Sequence, residues 1–519
     1  MKRKRAVYLA LAMVGCTVLT AAAQNQSDQY IFPDPARKFI VAAAKGSGDK
    51  SISGRELPSS DPLARLITED LAQPFNWQMI RMSQCARNFA GDTAGPNLLL
   101  VSGNEGGFPR TGIRLTSGNG REVNYPALQY VDLVLDSSRV ARGDLSIYSH
   151  ELGHVMMGLI LGGKIETLEV ETSPKQHVSM GVTDYLTAFY EGWGIHFQRL
   201  ALDGTEKYRQ AADKRLAPER AAGLAWHSGL DEYLRINLVR DNGYIYQKLV
   251  QTGPDTRNLT LEQRILLEHT SPAFDHTRLK NAQQMLSSEG VAATLFYQAA
   301  IHPGIGSHYM PAAFYEPFLA KPLPPETDPA GVFSPEENFL LKNFWIWKKM
   351  SGMAFTGSPL ITWVSAWCSE FPDDRREMLG LFVRITRGIT IDRELAELTA
   401  RLNYFGQVGD YARFSGLRDS VTESERRHID RCLADPELLH ANVGPELWIK
   451  SDRQKIRRAL WMPQNQTWLA VNLNTAGEAE MEAFLEPARA EEFISKRTEL
   501  GYFISFDQLV QLGFPELRR

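Results

Sequence analysis

The sequence predicts a mainly α-helical protein with a small β component. Three observations carry that expectation. Two short apolar stretches, LLLVSG (98–103) and YVDLVLD (130–136), read as strands. From about residue 180 onward helical patterning dominates. The proline-rich stretch KPLPPETDPAGVFSPEEN (321–338) gives way at once to more helix of similar character, so it reads as a loop inside one large domain. With 519 residues, 43% of them hydrophobic and 23% charged, the chain can bury a sizeable core without disulfides.

The chain opens with MKRKRAVYLALAMVGCTVLTAAAQ. Lys2 to Arg5 form a basic end, Ala6 to Thr20 an apolar run, and Ala21-Ala22-Ala23 a small-residue cleavage site, the three parts of an export signal over residues 1–23. The apolar run is too short for a comfortable membrane span. A competing reading is a lipoprotein cleaved before Cys16 in MVGC. Against it, Met13 stands where leucine is usual, and the sequence after Cys16 stays apolar. The expectation is an exported chain, periplasmic or secreted, with no transmembrane span in its mature form unless the signal is retained. Cleavage removes four positive charges and takes the net charge from −4 to −8. That balance gives no general affinity for nucleic acid. Cys85, Cys368 and Cys432 then remain, widely spaced and without a CxxC pair, so neither a disulfide framework nor a cysteine metal site is indicated.

After a polar stretch around Asn25–Gln29, the region to about residue 135 mixes helical and extended signals, and YVDLVLD leads towards IYSHELGHVMMG (147–158). This segment fits H-E-x-x-H. Asp144 can cap a helix running from Leu145 to Leu161, with Gly162-Gly163 as its stop. On such a helix His150 and His154 lie one turn apart on one face, so both imidazoles can reach one ion. Glu151 projects beside them and can act as a base toward an attacking water. Gly158 continues the histidine line and leaves room for another element. Ile147, Val155, Met156, Leu159 and Ile160 suit packing against a core.

A zinc site needs a third protein ligand. The next strong helix reads GVTDYLTAFYEGWGIHFQRLALD (181–203), and in it Glu191 lies 37 positions after His154 within YEGWG. Its neighbours Phe189, Tyr190, Trp193, Ile195 and Phe197 are apolar or aromatic on several sides, where a carboxylate is costly unless paired or metal-bound. Over Leu145 to Leu200 the chain resembles the gluzincin metallopeptidases, which pair H-E-x-x-H on one helix with a glutamate ligand on a following helix. The resemblance implies a zincin-like catalytic core, Zn2+ held by His150, His154 and Glu191, and Glu151 as general base. Glu166, Glu169, Glu171 and His177 are the alternative third ligands. Thermolysin-like members carry an aspartate four residues after the ligand glutamate. Here that position is Ile195, and Asp184 is either its substitute or a residue of the helix N-terminus. The donor for the developing oxyanion stays open among Tyr190, His196, His269, His276 and Tyr297.

Beyond the connector, Ser334 as N-cap, Pro335 at the first helical position and Glu337 in capping-box position predict a helix start. At the far end, residues 471–514 resemble the helix–hairpin–helix module of competence-type DNA receptors and of some secretion-system pseudopilins. The matching residues are Asn472-Leu473-Asn474-Thr475-Ala476, Glu480-Met481, Ile494, Arg497, Gly501-Tyr502-Phe503, Ser505 and Asp507-Gln508-Leu509. Thr475 and Glu478 suggest a capping box for the first helix. The hairpin departs from the pattern: Glu486-Pro487-Ala488-Arg489 contains no glycine to offer backbone N–H groups to phosphate. From Trp468 to Arg519 there are nine acidic and five basic side chains, a net −4, which argues against DNA binding and for a packing or protein-docking module.

The expected organisation is a signal peptide over 1–23, a zincin-like metallopeptidase region with a helical C-terminal part over 24–465, and a small helical module over 466–519. The expected activity is zinc-dependent hydrolysis of bonds in a peptide or protein substrate. A zinc hydrolase of a non-peptide bond is a variant of that reading. The competing class is a non-catalytic envelope protein that uses its helical domain and C-terminal module for assembly or partner binding. An intact HELGH favours the enzyme, since a pseudoenzyme has no catalytic reason to keep the base beside the ligands.

Overall fold

In a computed structural model of the chain, residues 27–34, 39–45, 52–162, 185–221, 245–247, 274–279, 285–386, 392–405, 410–452 and 468–518 are described, apart from short stretches within these. The expected signal, residues 1–23, lies outside them. The protein is mainly α-helical with a small β component, as the patterning predicts. It divides into two compact units, one formed by Met1–Gly162 with Ala300–Trp345, the other by Gly163–Ala299 with Ile346–Arg519.

The first unit is built on a closed five-stranded barrel of β1 (Ile40–Ala44), β2 (Ser53–Glu56), β3 (Leu98–Ser102), β4 (Phe108–Thr116) and β5 (Glu122–Val134), in the order β1-β2-β4-β5-β3. Pairs β1–β3, β2–β4 and β3–β5 are parallel, and β1–β2 and β4–β5 are antiparallel. Residues two apart on each strand fill the interior: Ile40 and Ala42, Leu98 and Leu100, Ile113 and Leu115, Leu128 and Tyr130. From β2 comes Gly54, where a Cβ would sit 3.0 Å from Leu100 and 3.2 Å from Ile113, so the missing side chain makes room for these two. β4 bulges between Thr111 and Ile113, at Gly112 with φ +81°, where an added Cβ would lie 3.0 Å from the Pro126 carbonyl oxygen.

Helices α1 (Pro62–Leu71), α2 (Pro74–Ala90), α3 (Ser137–Ala141) and α4 (Tyr148–Leu161) complete the N-terminal part of this unit, and α4 packs on β5 and on α2. Asp144 does not cap α4 as expected. It begins a 3-10 turn, Asp144–Ile147, behind Gly143 at φ +84°, and the α-helix starts only at Tyr148. The tighter turn uses up the residues that the period-3.6 pattern had assigned to helix. Gly162, at φ +66°, ends α4. The polar stretch near residue 27 is helical over 27–31, and its Ser27 and Asp28 are buried. Both meet Arg81 of α2, whose guanidinium reaches Asp28 at 2.6 Å, Ser27 Oγ at 2.8 Å and Glu337 at 2.7 Å. Glu337 also closes the expected capping box: the Ser334 N–H donates to it at 2.9 Å, while its own N–H donates to Ser334 Oγ at 3.2 Å. The helix Pro335–Ser351 follows.

In the second unit, α5 (Tyr185–Gly204) packs closely against α7 (Glu289–Ala300), with α6 (Glu206–Ala221) between them in sequence. Trp193 and Phe197 of α5, Phe296 of α7 and Trp347 form an aromatic core, with Trp193 centroids 4.3 to 5.1 Å from the other three. Then come α8 (Pro359–Glu370), α9 (Arg375–Ile385), α10 (Tyr411–Ala434) and α11 (Pro436–Val443). Two short antiparallel ladders, β6 (Ile245–Gln247) with β7 (Phe274–Leu279) and β8 (Trp448–Asp452) with β9 (Trp468–Asn472), account for its strands among the described residues.

The chain ends in α12 (Glu478–Met481), α13 (Pro487–Leu500) and α14 (Phe506–Gln511), packed around Val471, Leu473, Met481, Phe493, Phe503 and Phe514, with Ile449 of β8 in the same cluster. Asn474 ties the segment together, its Nδ2 donating to the Phe503 carbonyl at 2.9 Å and its Oδ1 accepting from the Phe503 N–H at 2.6 Å. The first of these helices is capped two residues later than expected. Gly477 is the N-cap, and Glu480, not Glu478, accepts its N–H at 2.7 Å. Thr475 lies outside the described residues. No helix among the described residues is long and apolar enough to cross a membrane.

Candidate metal centre

The HELGH helix is apolar nearly all round because it is enclosed: Tyr148, Leu152, Val155, Met156, Met157 and Ile160 are buried on different faces. Within that shell His150, Glu151 and His154 are buried too, at 6%, 5% and 3% exposure. Polar side chains are rarely enclosed to that degree without a specific partner. The one-turn spacing brings the two imidazoles edge to face, with centroids 4.7 Å apart and Nε2 atoms 3.1 Å apart. Two nitrogens at about 2.0–2.1 Å from one tetrahedral ion would be about 3.3 Å apart, so the pair is spaced to share a metal.

Glu191, half-buried on α5, completes the group. One ligand atom each from His150, His154 and Glu191 lie within 4.8 Å of one another, an arrangement that could hold a metal ion. Gly192, next to it in the chain, packs on α7. A Cβ there would lie 2.6 Å from Ala292 Cβ and 2.9 Å from the Ala293 nitrogen, so only glycine lets α5 approach α7 this closely. On α4, the opening expected at Gly158 is filled by Gln129 of β5, whose Oε1 would sit 2.5 Å from an added Cβ. The Gln129 carbonyl in turn accepts a hydrogen bond from Arg87 of α2. This strand-to-helix contact was not visible in the sequence, where Gln129 carries no motif.

The alternative ligands Glu166, Glu169, Glu171 and His177 lie outside the described residues, as do Asp184 and His269. Ile195 is fully buried against Ala293 and Tyr297. Among the oxyanion candidates, Tyr297 donates its hydroxyl to Asp203 at 2.7 Å, and burial together with that carboxylate holds the phenol above its ordinary range. His196 is fully buried, with Nδ1 against the Trp193 carbonyl and its ring among Trp193, Phe197 and Phe296. These contacts bind both residues into the α5–α7 core. Tyr190 is half-buried, and His276 lies on β7.

Comparison of the chain with protein-family models, with curated proteins and with solved structures gives no match in any of the three.

Proposed function

We propose that this chain is an exported, zinc-dependent metallopeptidase, periplasmic or secreted. The observation that carries the reading is the convergence of His150, His154 and Glu191, with the buried Glu151 next to the first of them on the same helix. Two imidazoles and a carboxylate are the donor set that suits Zn2+ with a position left open for chemistry. When bound, the ion would polarise the scissile carbonyl and ease deprotonation of the attacking water. Glu151 takes that proton on its carboxylate and passes it to the leaving amine.

The test pairs metal content with turnover. The purified protein is expected to carry about one zinc per chain, and His150→Ala or His154→Ala to lose it. Glu151→Gln is expected to keep fold and zinc while hydrolysis of a peptide library falls by about a thousandfold. Near-normal turnover in Glu151→Gln, or unchanged zinc in both histidine variants, would overturn the assignment.

A further inference from the structure

Along β5, Leu128 and Tyr130 fill the barrel, so strand alternation turns Gln129 to the outside, where α4 packs. It meets that helix at Gly158. A Cβ added there would lie 2.5 Å from Gln129 Oε1, 3.4 Å from its Cδ and 3.5 Å from its Nε2, so the whole carboxamide lies over the glycine. Gly158 follows His154 at the interval by which His154 follows His150, and the three run along one side of α4. The amide therefore sits on the histidine side of the helix, over a residue about 6 Å along its axis from His154.

The backbone at this point is held firmly. The Gln129 carbonyl accepts from the buried Arg87 of α2, which also reaches Asp92 at 2.6 Å and Asn97 Oδ1 at 3.3 Å. The side chain is not: half-buried, its carboxamide makes no hydrogen bond to any of the described residues. An apolar side chain would serve strand-to-helix packing better, because a partly enclosed amide without a partner costs free energy. The same group carries two N–H donors and an acceptor oxygen. A peptide unit of an extended chain offers the matching C=O and N–H.

Given the metallopeptidase reading, on which this assignment rests, we propose that Gln129 is a substrate-binding residue of the metal centre, its carboxamide pairing with the main chain of the polypeptide being cleaved. Nε2 donates to a substrate carbonyl, and Oε1 accepts a substrate N–H. Every residue but proline carries both groups, so the contact positions the chain without reading its side chains. The offset of about 6 Å from His154 exceeds the ~3.8 Å between successive Cα atoms, which places the contact away from the scissile bond. The occupant is an extended polypeptide.

The experiment uses the full chain carrying Glu151→Gln, so that peptide is bound without being cut, and follows fluorescein-labelled random-sequence decapeptides by anisotropy. Adding Gln129→Met keeps the bulk over Gly158 but not the amide. It is expected to weaken binding about fivefold, the scale of one neutral hydrogen bond, with zinc content unchanged. Gly158→Ala keeps the amide but pushes it off the helix, and is expected to weaken binding too. Unaltered affinity in both variants would overturn the proposal. On decapeptides N-methylated at every backbone nitrogen, the effect of Gln129→Met is expected to be smaller. An effect of equal size there would reveal packing alone and equally overturn it. Turnover with Glu151 intact judges the metallopeptidase reading separately. Peptide hydrolysis that ignores Gln129 sinks this residue alone, whereas Gln129-dependent binding without hydrolysis sinks the peptidase and leaves the peptide contact standing.

Discussion

At the scale of single residues, the decisive pair is Glu191 and Gly192. One offers a carboxylate oxygen within 4.8 Å of a ligand nitrogen of each histidine, and the other permits the close approach of α5 to α7. The two roles are separable. Glu191→Ala removes a ligand and is expected to abolish tight zinc binding while the helix remains. Gly192→Val keeps the carboxylate but forces branched carbons into Ala292 and the Ala293 backbone. Overpacking of that kind costs about 1–3 kcal/mol. Relief by displacement of α5 is expected to lower zinc affinity by at least about tenfold, since ligand distances near ~2 Å tolerate little shift. Chelator competition on both variants, with circular dichroism to confirm the fold, makes the comparison. Wild-type affinity in Gly192→Val would remove the glycine from the account.

At the scale of elements, the C-terminal helices set a resemblance against local electrostatics. Their basic residues near the hairpin are already engaged. Arg489 reaches Glu492, Glu516 and the Gly513 carbonyl, Lys496 pairs with Glu499 at 3.0 Å, and Arg497 donates to the Leu473 carbonyl at 2.8 Å. Burial lowers Arg497 to about 10 despite the pull of Glu480, so its charge is directed inward. Helix α13 begins with Glu486 as N-cap and Pro487 at its first position, which puts a carboxylate where phosphate would need N–H donors. The full chain is therefore expected to form no micromolar, salt-sensitive complex with duplex DNA at physiological salt, as checked by fluorescence anisotropy. The elements also show what could be read in advance. HELGH, Glu191 and the Ser334–Glu337 capping box were legible because each is a local pattern with a fixed spacing. The barrel was not. β1 reads IVAAA and β2 SGRE, neither alternating cleanly, and both become strands through pairing with distant partners. Gln129 was missed for a related reason: an amide has no motif until its neighbours are in place.

At the scale of the whole molecule, the buried pair of His428 on α10 and Asp392, with Nδ1 3.0 Å from the carboxylate, makes stability depend on pH. His428 has a folded pKa of about 9 against an ordinary value near 6.5, so it binds its proton more tightly when folded. Its contribution is complete below about pH 6.5 and is lost as pH rises through 9. Asp392 is displaced the other way: burial would raise it, but the His428 hydrogen bond, the Leu395 N–H and the charges of His428 and Arg431 lower it further. Its contribution is present above about pH 4 and is lost as pH falls through its lowered value. Denaturant unfolding is expected to show lower stability at pH 9.5 than at pH 6, and His428→Asn to flatten that difference. An unchanged slope in the variant would assign it to other groups. A consequence of a different kind follows from how the first unit is written along the chain. Its barrel and ligand helix belong to the first 162 residues, but Glu337 and the rest of its closing segment arrive only after 137 further residues, Gly163–Ala299, that belong to the other unit. A chain delivered amino terminus first thus displays HELGH long before Arg81 has its second carboxylate and before Glu191 has emerged. Closure of the first unit around Arg81 is therefore a late event in the life of the polypeptide, set by a carboxylate that arrives 256 residues after the guanidinium it pairs with.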